Sequence, residues 1–166
     1  MDLSNLMHIA TKSGKIDITL EKDTQLISEK FSRHLSKGDI IFLYGEIGVG
    51  KTTFIKYLIN NLQIKSDIRL TEVPSPTFNL VHQYQIKDLT IQHYDLYRLK
   101  DEKEIKNIGL FENYEDCITF IEWPEIISKK PKNKIELIFN YEENLNKRSL
   151  LISSDNKKEI IDEFKL

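Results

Sequence analysis

The stretch GEIGVGKTT, residues 45–53, decides the fold class of this chain. It fits the pattern G-x-x-x-x-G-K-[ST], with Gly45, Gly50, Lys51 and Thr52 at the defined positions. Glycines let a backbone loop wrap closely around a phosphate, and N–H groups at a helix start point at the anion. The pattern predicts that Lys51 reaches the β- and γ-phosphates of a nucleotide and that the Thr52 hydroxyl binds Mg²⁺. The residues predicted to contact the nucleotide here are Gly45, Gly48, Val49, Gly50, Lys51, Thr52 and Thr53.

The segments around this loop predict an α/β protein. IIFLY, residues 40–44, is a continuous apolar run typical of a strand buried on both faces, and residues 51–62 carry apolar side chains at helical spacing. Residues 78–85 and 89–96 alternate with period two, and the three residues between them allow only an antiparallel pair. We therefore predict a P-loop NTPase fold, with a mixed parallel and antiparallel sheet flanked by helices.

The remaining elements follow from apolar periodicity and from helix start and stop signals. Asp23 is the predicted N-cap of the first helix, and Gly109 the predicted end of a charged third helix. The apolar face of the first helix is predicted to comprise Leu26, Ile27, Phe31 and Leu35. Further strands are predicted at 15–20, 117–123, 134–141 and 148–153, and helices at 23–35, 101–110 and 156–166. We expect one domain over residues 1–166, with 1–14 as a loose N-terminal extension.

The composition is that of an ordinary globular protein, with 40% hydrophobic and 30% charged residues. Its net charge of −2 and its lack of a basic stripe argue against independent nucleic-acid binding. The single cysteine, Cys117, lies in an apolar run and is predicted to be buried, which suits a reducing cytoplasm. We find no signal peptide and no membrane-spanning run, and the histidines lack zinc-ligand spacing. A cytoplasmic protein is expected.

Missing motifs narrow the class of P-loop protein. No glycine has an aspartate three residues before it, and no Asn-Lys-x-Asp occurs, so guanine specificity is not expected. A P-loop small-molecule kinase remains an alternative. Such kinases gather arginines around the transferred phosphoryl group, whereas this chain has only Arg33, Arg69, Arg98 and Arg148. A nucleotide sensor that does not hydrolyse its ligand is a third possibility.

Two acids end predicted strands and are candidates for holding Mg²⁺ or its waters, namely Asp95 and Glu122. The alternative for Asp95 is a turn cap, and for Glu122 a buried partner. The only tryptophan, Trp123, adjoins Glu122, and packing alone would also explain it. Ser75 and Thr77 lie in an irregular proline-containing segment that could order on a γ-phosphate, although spacing alone favours an inert connector.

Four segments, read together, resemble the TsaE (YjeE) family, the small bacterial P-loop ATPases of tRNA threonylcarbamoyladenosine synthesis. The resemblance extends from about residue 15 to residue 151, and its segments occur in the family's order: LYGEIGVGKTTF, SPTFNLVHQY, HYDLYRL and FIEWPE. One departure is Asn79, which stands where the family usually has Thr or Ser. Any contact made by that hydroxyl in the family is not expected here.

The resemblance implies a role for each matching residue. Lys51 and Thr52 would bind phosphate and Mg²⁺, and Glu122 would hold the metal. Asp95 would hold a metal-bound water or position the attacking water. The residues that would lie near the adenosine, the nucleotide or its phosphates are Thr24, Trp123 and Arg148.

The resemblance also implies the function. The chain would be an Mg²⁺-dependent ATP hydrolase, slow when alone, that binds the TsaD–TsaB pair. With ATP turnover it would support N6-threonylcarbamoyladenosine (t6A) modification of adenosine 37 in tRNAs that read ANN codons. TsaD would transfer the threonylcarbamoyl group, and tRNA would be met only through the complex.

Overall fold

Within residues 11–165, which the computed structural model describes, eight strands form one mixed β-sheet with four α-helices around it. The strand order across the sheet is β1-β8-β7-β3-β6-β5-β4, and the short β2 also pairs with β8. The strands are β1 (Thr11–Lys12), β2 (Ile16–Asp17), β3 (Ile40–Tyr44), β4 (Val81–Ile86), β5 (Leu89–Asp95), β6 (Cys117–Glu122), β7 (Ile135–Glu142) and β8 (Lys147–Ser154). The helices are α1 (Glu21–Ser32), α2 (Lys51–Lys65), α3 (Lys103–Asn107) and α4 (Lys158–Glu163).

The pairing pattern confirms the predicted mixed sheet. β3 lies between β6 and β7 and is parallel to both, and β5 is parallel to β6. β4 and β5 form the predicted antiparallel pair, as do β7 and β8. Because β3, β5 and β6 run in one direction, their carboxyl ends meet at one edge of the sheet. Glu122 lies beside Leu43 on one side and Asp95 on the other.

The apolar run of β3 contributes to a core on each face of the sheet. Ile41 and Leu43 point into a cluster shared with α1, α2 and α4, while Ile40 and Phe42 point into a second cluster that α3 helps to cover. Successive side chains of a strand face opposite sides, so burial on both sides requires apolar residues throughout. Cys117, the first residue of β6, is buried, as the sequence predicted.

The first helix differs from its prediction. It begins at Glu21, after Leu20 as N-cap, so Asp23 lies in its first turn, where its charge still suits the helix dipole. Leu26 is 49% exposed, and the predicted apolar face is wrong at this position. Thr24 and Ser28 are buried instead, because they share the helical spacing of Phe31 and Leu26 does not.

Several other helices and strands also differ from their predicted lengths or positions. α3 is five residues long, and Gly109, with φ +66°, follows its end. The strand predicted at 15–20 covers only Ile16–Asp17. β1, placed by the sequence in the loose extension, pairs with β8, and the Ser13 N–H donates to the Ile152 carbonyl at 2.8 Å. The part of that extension before residue 11 lies outside the described residues. No helix within residues 11–165 is long and apolar enough to cross a membrane.

Candidate functional site

The glycine loop connects the end of β3 to the start of α2, as its sequence predicts. Its backbone depends on glycine at Gly45, where φ is +139° and an added Cβ would lie 2.6 Å from the Phe139 carbonyl oxygen. Val49 anchors the loop because its side chain is 1% exposed and packs in the core. The predicted nucleotide contact would have to come from its backbone, whose N–H now donates to the Glu46 carbonyl at 3.3 Å.

No capping or acidic side chain of α2 competes with an anion for the N–H groups at its start. Gly50 is its N-cap, no side chain caps it, and its first turn contains no acidic residue. The first N–H groups of a helix lack carbonyl partners within the helix and carry partial positive charge. Thr52 and Thr53 lie half-buried in this turn. The arrangement suits an anion placed against the helix end.

Lys51 is buried beside the loop, with 4% of its surface exposed. Its ammonium donates to the carbonyl oxygens of Gly45 at 2.5 Å and Glu46 at 3.0 Å, and it lies 4.1 Å from the centroid of the Trp123 ring. Burial lowers the pKa of this ammonium, and the charge of Glu122 partly opposes that shift. The charge is thus held by loop carbonyls and an aromatic face.

A hydrogen-bonded group of three side chains joins α2, β6 and β5. The Thr52 hydroxyl donates to Oε1 of Glu122 at 2.8 Å, and Nε2 of His93 lies 2.8 Å from the same oxygen. Glu122 is 3% exposed and His93 is fully buried. The sequence interpretation did not include His93. The period-two alternation of β5, which places His93 on the same face as Asp95, was a signal that could have found it.

Asp95 accepts three hydrogen bonds from its own chain. Its Oδ2 accepts hydrogen bonds from the hydroxyls of Ser75 at 2.7 Å and Thr77 at 2.8 Å, and its Oδ1 accepts one from the Tyr97 N–H at 3.0 Å. The segment that contains Ser75 and Thr77 is therefore tied to a candidate site acid at the edge of the sheet. Spacing could not show it, because the partner acid is 18 to 20 residues away in the chain.

Lys51, Glu122, Asp95 and the two hydroxyl residues bonded to Asp95 line one cavity of about 240 Å³ at the carboxyl edge of the sheet. Trp123 forms part of its wall in a left-handed backbone conformation, with φ +57°, and its ring lies 4.8 Å from that of Tyr97. Lys51 is the one cationic side chain among the described residues that line it. The lining consists of Ile47, Gly48, Lys51, Ser75, Thr77, Asp95, Tyr97, Glu122 and Trp123.

Seven predicted site residues lie outside that lining: Gly45, Val49, Gly50, Thr52 and Thr53 of the loop and the first turn of α2, and the more distant Thr24 and Arg148. Thr24 is buried on α1, and Arg148 lies on β8, where its guanidinium is 5.6 Å from the Tyr141 ring. The Tyr141 hydroxyl in turn donates to the Ile47 carbonyl at 3.2 Å, so Arg148 adjoins the back of the loop. It lines a separate cavity of about 230 Å³. Asn79 donates to Nε2 of His82 at 3.0 Å rather than to a cavity group.

Across residues 11–165, no three His, Cys, Asp or Glu side chains are grouped so as to hold a metal by themselves. Mg²⁺ sites at nucleotides commonly use one or two protein oxygens together with phosphate oxygens and waters. Thr52 and Glu122 supply such oxygens. The Thr52 hydroxyl directs its proton to Glu122, which leaves its oxygen lone pairs for another partner. The donor set fits Mg²⁺ bound together with a phosphate.

The strand order, the glycine loop and the helix that follows it define a P-loop NTPase fold. A solved structure agrees with this class: the crystal structure of YdiB from Bacillus subtilis superposes with a TM-score of 0.74, covering 95% of this chain and 96% of that one, at 21% identity. At this identity the likeness establishes the fold alone.

Sequence comparisons then establish the family. The model for "Threonylcarbamoyl adenosine biosynthesis protein TsaE" matches residues 18–150, so the chain belongs to the TsaE family. A tRNA threonylcarbamoyladenosine biosynthesis protein TsaE from Rickettsia typhi is 38% identical over 107 residues, which are 64% of this chain and 72% of the relative. A relative of the same name from Rickettsia felis is also 38% identical, and the match covers 60% of its length. The predicted resemblance is confirmed, and it links the chain to threonylcarbamoyladenosine biosynthesis.

Proposed function

We propose that this protein hydrolyses ATP, with Mg²⁺, in support of the TsaD–TsaB pair during t6A modification of tRNA. The observation that carries the proposal is that Lys51 and Glu122 line one cavity beside the glycine loop and that Thr52 donates a hydrogen bond to this Glu122. Membership of the TsaE family supports the same assignment.

The glycine loop and Lys51 would bind the phosphates. Two neutral carbonyls now accept hydrogen bonds from the Lys51 ammonium, and charged phosphate oxygens are stronger acceptors. Exchange of the carbonyls for a phosphate oxygen would therefore be favourable. The N–H groups at the start of α2 add partial positive charge on the same side.

Thr52 and Glu122 would hold Mg²⁺ through a hydroxyl and a carboxylate oxygen. When bound, the metal would neutralise charge that develops on the phosphate oxygens. Oε1 of Glu122 accepts two hydrogen bonds, from Thr52 and His93, while no described residue donates to Oε2. The second oxygen is thus the one available to the cavity.

Asp95 would hold a metal-bound water or position the attacking water. Its Oδ2 is now bonded by Ser75 and Thr77, whereas Oδ1 accepts only the Tyr97 N–H and keeps an acceptor position for a water; a role for Oδ2 would require one hydroxyl to release it. The same contacts place the Ser75–Thr77 segment at the cavity wall, where release would also move the segment. Trp123 would lie against the nucleotide, while Thr24 and Arg148 would act near the adenosine or its phosphates from outside this cavity.

The cavity charge supports dependence on a partner. Transfer of a phosphoryl group is accelerated by cations that neutralise the transition state, often an arginine supplied by another chain. Lys51 is the one cation of the described cavity lining, and Arg98 is exposed with its guanidinium 4.9 Å from the Phe78 ring. Slow turnover alone and faster turnover with TsaD–TsaB are therefore expected.

The test is t6A formation on tRNA by a TsaD–TsaB pair supplied with carbamoyl-adenylate. Four mixtures are compared: without this protein, with it, with Lys51→Ala, and with Lys56→Ala. Lys56 is an exposed lysine on the same helix and serves as the matched control. We expect many turnovers only with the wild type and Lys56→Ala. Equal product in all four mixtures would refute the proposal, and phosphorylated small molecules would then be sought as products of a kinase.

A further inference from the structure

The side chain of His93 makes a single hydrogen bond although it is fully buried. Its Nε2 lies 2.8 Å from Oε1 of Glu122, and its Nδ1 is buried without a hydrogen-bond partner among the described residues. A buried nitrogen without a partner costs free energy that an apolar side chain would avoid. An apolar side chain at this position could not make the hydrogen bond to Glu122. That bond is therefore what a histidine adds here.

The chemistry of the pair fixes which atom donates. A carboxylate oxygen accepts, so Nε2 of His93 carries the proton of this hydrogen bond. Thr52 donates to the same Oε1 from the opposite element. Oε1 of Glu122 is thus held by two donors, one from α2 and one from β5. Together the two hydrogen bonds orient the carboxylate, and they leave Oε2 without either donor.

His93 itself does not reach the cavity. It is 0% exposed and does not contribute to the cavity wall, whereas Glu122 does. Any effect of His93 on bound nucleotide must therefore pass through the carboxylate. Without His93, the Thr52 hydroxyl would be the only donor that orients Glu122, and the same hydroxyl would also have to bind the metal.

We propose that His93 is a positioning residue, whose Nε2–H orients the Glu122 carboxylate for Mg²⁺ bound with the nucleotide. The inference rests on the proposed function, because that function assigns Glu122 to the metal. Partners of metal ligands typically contribute a factor of about 10–100 in metal affinity or activity. We expect an effect of that size at His93.

Two substitutions separate the hydrogen bond from mere packing. In His93→Gln the side-chain amide nitrogen takes nearly the place of Nε2 and can donate to Glu122, whereas in His93→Asn the shorter amide cannot reach it. For His93→Asn we expect the Mg²⁺ concentration for half-maximal ATP turnover to rise about 10–100-fold. The KM for nucleotide should change little, and His93→Gln should stay within about threefold of wild type. Equal loss in the two variants would overturn the proposal.

A binding measurement keeps the test separate from ATP hydrolysis. Trp123, the one tryptophan of the sequence, lines the cavity, so its fluorescence can report Mg²⁺ titrated into the protein with ADP. His93→Asn should weaken that titration by the same factor, and His93→Gln should not. If wild type shows no turnover with TsaD–TsaB but this order of affinities holds, the proposed function fails and the positioning role stands. If turnover is normal and the order is absent, the positioning role fails.

The ring of the wild-type protein gives a readout that needs neither a substitution nor catalysis. Long-range ¹H–¹⁵N spectra should show a proton on Nε2 of His93, as donation to Glu122 requires. An Nε2 without a proton in the wild type would overturn the inference directly.

Discussion

Gly45→Ala tests whether the glycine loop is fixed by its contact with β7. At Gly45 an added Cβ would lie 2.6 Å from the Phe139 carbonyl oxygen and 3.0 Å from Cγ1 of Val49. Gly50 also has a positive φ, at +116°, but an added Cβ there would meet nothing within 4 Å. Gly50→Ala is therefore the matched control, since it carries the backbone strain without the collision.

The two costs can be worked out separately. An ordinary residue at such a φ costs about 1–3 kcal/mol, and this term applies to both variants. A carbon and a carbonyl oxygen normally approach to about 3.3 Å, so the loop of Gly45→Ala must move by roughly 0.7 Å. The obstacle is a backbone atom of β7, which cannot rotate away as a side chain could. Overpacking of this kind adds about 1–3 kcal/mol.

Equilibrium unfolding in urea, without nucleotide, measures the difference. We expect Gly45→Ala to be less stable than Gly50→Ala by about 1–3 kcal/mol in the free energy of unfolding. Leaving out the ligand keeps any loss of phosphate binding out of the comparison. If the two variants are destabilised equally, the contact with Phe139 does not fix the loop, and the argument from the collision is wrong.

Two further predictions concern the core and the metal ligands. The Tyr84 hydroxyl is buried without a partner among the described residues, so Tyr84→Phe should be as stable as wild type at pH 7, or up to about 1 kcal/mol more stable, by urea unfolding. Burial raises the pKa of Tyr84 above 10.0, so wild type loses stability as pH rises through 10 and the advantage of Tyr84→Phe should widen there; a constant difference would contradict this. Thr52→Ser keeps the hydroxyl that donates to Glu122, whereas Thr52→Val removes it. Mg²⁺-dependent ATP turnover should survive the first and fall at least about 10-fold in the second, and equal rates would argue against Thr52 as a ligand.

The local signals predicted the parts of the site that lie close together in the chain. The loop pattern fixed Gly45 to Thr53 between a strand and a helix, because glycine conformation and helix polarity act over a few residues. The run IIFLY predicted a central strand because both faces of β3 are buried. Asp95 and Glu122 were found as candidates because each ends a predicted strand, and the parallel pairing of β5 and β6 places them side by side.

The remaining features depend on how distant segments pack, which local periodicity does not contain. Leu26 fits a helical apolar pattern, yet the rotation of α1 against the sheet buries Thr24 and Ser28 in its place. The partners of Asp95 come from an irregular segment whose path follows no period. His93 was not predicted for a related reason. Its partner Glu122 is 29 residues away in the chain, and the sequence does not show that the two side chains meet.

The hydrogen bonds of the site explain why nucleotide binding and conformational change should be coupled here. Each group proposed to act on the nucleotide already has a partner in the chain: Lys51 has loop carbonyls, Thr52 has Glu122, and Asp95 has Ser75 and Thr77. Entry of phosphates must exchange several of these partly buried bonds, and a donor or acceptor left without a partner costs free energy. The bond from Thr52 to Glu122 can persist while the Thr52 oxygen binds another partner, whereas a water or metal at Oδ2 of Asp95 would compete with the hydroxyls of Ser75 and Thr77. Under the proposed function, a partner protein that binds the Ser75–Thr77 segment after its release from Asp95 would favour turnover, because it would supply free energy for that exchange.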